Sequence, residues 1–156
     1  MKLKILALSS LLLASTSAYA DLMINGVYAR ATPPGAPNSA IFMTIMNHGE
    51  NDRSLVAATS DIAEKVELHN HTMVDGMMQM RQVDSIAVPS YGSTFLKPGG
   101  LHVMLLGLKH PLEEGEQVAL TLHFANGDSE SMFVPVKKVM AGMKGMQHDE
   151  DKNPVK

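Results

Sequence analysis

From residue 21 onward, apolar and polar residues alternate over short runs, and no stretch sustains the 3.6-residue period of a helix. Strands are predicted over 26–30, 40–47, 53–59, 64–69, 77–81, 86–88, 94–96, 101–106, 117–124 and 130–136. Loops rich in Pro and Gly separate them. The clearest is Ala31-Thr32-Pro33-Pro34-Gly35-Ala36-Pro37, whose prolines cannot continue a hydrogen-bonded ladder. Asn126-Gly127 between the last two runs is a two-residue hairpin signal. Ten short strands at regular spacing, without an internal repeat, define an all-β chain built as an antiparallel sandwich or barrel.

Because successive strand residues point to opposite faces, alternation sorts core from surface. Val118, Leu120, Leu122 and Phe124 form one inward set, and Met132, Val134 and Val136 another. In the run 64–69, Val66 and Leu68 are the apolar set, which turns Lys65, Glu67 and His69 the other way. In the run 101–106, Leu101, Val103 and Leu105 face the core, so His102 and Met104 share the opposite face, about 7 Å apart at Cα. A methionine on the face that the core does not claim is the less expected arrangement, and it points to an exposed site.

The first twenty residues change the picture of where the chain works. MKLKILALSSLLLASTSAYA pairs two lysines with a short apolar stretch and an Ala-x-Ala end, the pattern of a cleaved signal peptide, so a mature chain is expected to begin at Asp21 in the periplasm. Residues 21–138 are then one domain, and 139–156 a flexible tail. The apolar run is too short to span a bilayer of about 30 Å, so no membrane span is expected in the mature chain. Without Lys2 and Lys4 the remainder carries eleven basic against sixteen acidic residues, which supplies no basic stripe for nucleic acid.

Composition narrows the chemistry further. There is no cysteine, which excludes disulfides, blue-copper centres, iron–sulfur clusters and thiol nucleophiles. Instead the 156 residues contain 13 methionines and no tryptophan. Methionine is often core filler, so position must decide. His69, Met80, His102 and Met104 together offer two imidazoles and two thioethers, a soft and uncharged donor set suited to Cu(I) rather than to zinc, calcium or magnesium. A His-x-Met pair alone is ordinary strand surface. Spacing alters that judgement.

The four residues read His-x10-Met-x21-His-x-Met, within Val66-Glu67-Leu68-His69, Gly76-Met77-Met78-Gln79-Met80-Arg81 and Pro98-Gly99-Gly100-Leu101-His102-Val103-Met104-Leu105. This pattern resembles the periplasmic copper chaperone family PCu(A)C, and the likeness extends from Tyr28-Ala29-Arg30 to the final hairpin. The resemblance implies a small cupredoxin-like, Greek-key β-sandwich that carries one Cu(I) on His69, Met80, His102 and Met104. It further implies delivery to a copper-accepting protein of respiratory terminal oxidase assembly. The alternative is a periplasmic copper buffer or resistance protein without a dedicated oxidase target.

His71, Met73 and Met78 lie in the same segment as the four and are candidate auxiliary ligands or their outer neighbours. Met140, Met143, Met146 and His148 in the tail are candidates for a second, weaker copper site. His48, His110 and His123 read as surface residues. No enzyme is expected: two thioethers bias the ion to Cu(I), no Gly-x-Ser-x-Gly elbow occurs, and the carboxylates show no acid/base pairing. A monomer is expected.

Overall fold

The computed structural model describes residues 21–139, and both the leader expected over 1–20 and the tail methionines lie outside them. The all-β expectation holds, with strands β1 (Leu22–Arg30), β2 (Asn38–Asn47), β3 (Arg53–Thr59), β4 (Ala63–Val74), β5 (Met77–Gln82), β6 (Ile86–Val88), β7 (Ser93–Leu96), β8 (His102–Leu108), β9 (Gln117–Phe124) and β10 (Ser129–Lys137). Among the described residues no helix is long and apolar enough to cross a membrane.

The strands pair in the order β5-β4-β8-β2-β1-β10-β9-β3-β6, and β7 pairs with the later half of β2. Every pairing is antiparallel except β1 with β10, which run parallel at Ala29↔Val136 and Arg30↔Lys137. That joint departs from the expected antiparallel arrangement. It seats the last strand beside the first and links the β9-β3-β6 portion to the rest.

Strands from both portions put side chains into one core, including Ile41, Ile45, Leu55, Ile86, Val103, Leu105, Leu120 and Val134, so the continuous sheet folds over on itself. The inward sets read from alternation are buried, from Val118 to Phe124 and at Val134 and Val136. Met132 is partly buried and packs against them.

Two turns refine the expectation. β4 runs past His69 to Val74, because Asp75 and Gly76, at φ 50° and 78°, close a two-residue hairpin onto β5. This Asp-Gly pair is the type I′ signal. Asn126-Gly127 makes a different turn: Gly127 takes φ 92°, Asn126 does not take a positive φ, and Gly127 N–H donates to the Phe124 carbonyl at 3.0 Å. A three-residue loop ending in a left-handed glycine results.

Candidate metal centre

β5, β4 and β8 are neighbours, and their register assembles the candidate residues on one face. Across β4 and β8, His69 lies opposite His102, and Glu67 opposite Met104. Across β4 and β5, His71 lies opposite Met80, and Met73 opposite Met78. Directly opposed side chains have Cβ atoms about 4.5–5.5 Å apart. Residues separated by 5 to 37 positions in the chain thereby become neighbours. The imidazoles are close: ring centroids lie 5.8 Å apart for His69 and His102, and 5.2 Å for His71 and His102.

Hydrogen bonds set which ring nitrogens are free. His102 Nδ1 lies 2.9 Å from the Gly100 carbonyl, which can only accept, so Nδ1 carries the proton and Nε2 keeps its lone pair. His69 Nε2 donates to Glu67 Oε2 at 2.7 Å, leaving Nδ1 bare. Lys65 and then His69 hold the Glu67 carboxyl below its usual range, which keeps it an acceptor. His102 Nε2, His69 Nδ1 and His71 Nδ1 are all buried with no hydrogen-bond partner among the described residues. A buried polar atom without a partner is costly. Three such nitrogens on neighbouring rings are left to accept a ligand, with Glu67 and Gly100 orienting two of the rings.

A cavity of about 320 Å³ opens beside this face, lined by His71, Met80, His102 and Met104 together with Arg30 and Phe42. His69 is not among its lining residues. Phe42 covers the flank of His102, with centroids 6.1 Å apart, and Arg30 sits over the Phe42 ring at 5.5 Å. Loop residues from Thr32 to Ala36 and Pro98-Gly99 complete the wall. His102 is thus only 1% exposed, which corrects the reading of a wholly exposed site. Met80, at 45%, is the open side. Burial is the main cause that pushes the His102 pKa down, with His71, His69 and Arg30 adding to it and the Gly100 hydrogen bond opposing.

Among the described residues no group of three or more His, Cys, Asp or Glu side chains is arranged to hold a metal. Met80 and Met104 add two thioether sulfurs on the same face as His69, His71 and His102. Met73 and Met78 lie one pair further out and are exposed. His48 and His110 are exposed, and His123 bonds Thr59 Oγ1 at 3.1 Å, all as surface residues. The sequence offers His71 as an auxiliary candidate, and the structure sets it opposite Met80 in the cavity wall; Arg30 and Phe42 are not among the sequence candidates. The alternation of Glu67, His69, His71 and Met73 carried the signal for the first; nothing in the local pattern marked the other two.

The architecture is that of a cupredoxin-like PCuAC-type domain. The apo PCuAC domain from PmoF1 superposes with a TM-score of 0.65 at 23% identity, over 76% of this chain and 95% of that one. The copper-bound PCuAC domain from PmoF2 gives 0.65 at 20%, over 78% and 97%. CuI-DR1885 from Deinococcus radiodurans, solved in solution, gives 0.64 at 34%, over 80% and 83%.

The family model described as "Putative lipoprotein LpqE-like" matches residues 22–136, and the chain belongs to the LpqE-like family. Two curated relatives are similar: "Putative lipoprotein Lxx21020" of Leifsonia xyli subsp. xyli, 36% identical over 104 residues, and "Uncharacterized protein RP573" of Rickettsia prowazekii (strain Madrid E), 30% over 101 residues. The matches take in 66% and 64% of this chain, but only 63% and 55% of those relatives' own length.

Proposed function

We propose that this protein is an exported, non-enzymatic copper carrier that holds one Cu(I) on His69, Met80, His102 and Met104. The observation that carries the reading is the convergence of bare imidazole nitrogens and thioether sulfurs on one face of β5-β4-β8. Neutral donors suit a soft monovalent ion. They also hold it without the charge of a thiolate, which favours handing it on. The copper-bound PmoF2 domain and CuI-DR1885 lend support, since both share the fold. Anaerobic Cu(I) titration against a competing chelator tests it. The chain is expected to bind one tight equivalent, and His102→Ala or Met104→Ala to weaken it by more than the roughly 10–100-fold that loss of an outer-shell partner costs. Equal affinity in both variants contradicts the reading.

The destination belongs to the same proposal: a periplasmic monomer that passes copper to a protein of terminal oxidase assembly. The exposed edge of Met80 favours ligand exchange over storage. A deletion strain short of copper should lose oxidase activity; copper sensitivity with normal oxidase would identify a buffer instead. Met140, Met143, Met146 and His148 are proposed to hold a second, weaker copper. Ending the chain after Lys138 should then remove one equivalent and leave the tight one, and unchanged stoichiometry removes the tail from the account.

A further inference from the structure

His71 is placed differently from the four residues of the spacing pattern, yet it has what a ligand needs. It stands directly opposite Met80 across the β4–β5 hairpin. Its ring is nearer to His102 than that of His69, 5.2 Å against 5.8 Å between centroids. Its Nδ1 is buried without a partner among the described residues. It also lines the cavity together with Met80, His102 and Met104, whereas His69 does not and has its Nε2 tied to Glu67.

We infer that His71 is a fifth donor of the copper site, taking the ion with Met80 on the cavity side during capture and release while His69 holds it at rest. The inference rests on the carrier reading above and adds a path to it. A soft ion leaves a closed four-ligand shell slowly unless another donor enters before one departs. Two histidines at i and i+2 of one strand, about 7 Å apart at Cα and on the same face, provide such a replacement. Met80 opposite one and His102 opposite the other lie within reach of both, because diagonal cross-strand neighbours also interact. The hairpin that carries His71 and Met80 is pinned by its Asp75-Gly76 turn, so their pairing does not slip.

The test uses the whole protein, with Cu(I) alone as probe. Transfer of Cu(I) to and from a coloured chelator is followed anaerobically by stopped flow for the unaltered chain, His71→Gln and His69→Gln, and 15N resonances of the histidine rings are recorded on the unaltered chain with and without Cu(I). His71→Gln should still bind one equivalent and melt like the parent in the apo state, while capture and release slow by about tenfold, the scale at which a supporting group matters to a metal site. His69→Gln should lose affinity instead. In the parent, substoichiometric Cu(I), which keeps the ion exchanging between molecules, should shift or broaden the His71 Nδ1 resonance. Parent-like exchange rates in a folded His71→Gln protein, or a His71 ring unmoved by Cu(I), overturn the inference. A parent chain that takes up no Cu(I) fails at the earlier step and overturns the carrier reading itself.

Discussion

Glu67 illustrates how much depends on a single side chain that touches no proposed cargo. Its carboxylate, held ionised by Lys65 and His69, fixes the His69 tautomer through the 2.7 Å bond to Nε2. Glu67→Ala should therefore lower Cu(I) affinity by roughly 10–100-fold with one equivalent still bound, as measured by chelator competition; parental affinity would show that the tautomer is set by something else. His102 gives a prediction about pH. Its folded pKa lies below the ordinary 6.5 because the ring is buried. The unfolded chain thus takes up a proton that the folded chain refuses, so the unfolded state binds more protons between the two values. Stability of the apo protein should be full above about pH 6.5 and fall as pH drops below it, as followed by denaturant unfolding, and His102→Asn should flatten that part of the profile. A parental slope in the variant would assign the effect to another group.

Among the elements, the β4–β5 hairpin decides whether Met80 meets the rest. Gly76 sits at φ 78° with open space where a Cβ would point, so Gly76→Ala meets no clash and suffers only the strain of a left-handed backbone. Thermal or denaturant unfolding should show a loss of about 1–2 kcal/mol, together with weaker Cu(I) binding as the Met80 register loosens. An unaffected protein would mean that the hairpin is held by its flanking pairs. Much of this was legible beforehand. The alternation of Leu101, Val103 and Leu105 correctly turned His102 and Met104 to a common face, since periodicity is a local property. What covers that face was not legible, because Phe42 and the 31–37 loop reach it from another strand. The place of His71 in a strand was not legible either, because the predicted run stops at His69 and only the Asp75-Gly76 turn carries β4 on to Val74.

For the molecule as a whole, one core supports the site from behind: Val103 and Leu105 are buried on the reverse of the strand that carries His102 and Met104. Leu105 is fully buried, so Leu105→Ala should cost about 2–5 kcal/mol in denaturant unfolding. A smaller loss would mean that the two portions of the folded sheet pack less interdependently than their shared core implies. The parallel β1–β10 joint could not have been read in advance, since it pairs the two ends of the domain and no local pattern encodes a partner. Copper carriage by this protein requires imidazole nitrogen and thioether sulfur to reach the same ion. X-ray absorption at the copper edge of the Cu(I)-loaded protein measures that directly. Two sulfur and two nitrogen neighbours are predicted, with one sulfur lost in Met104→Leu; a shell of nitrogen and oxygen alone would contradict it.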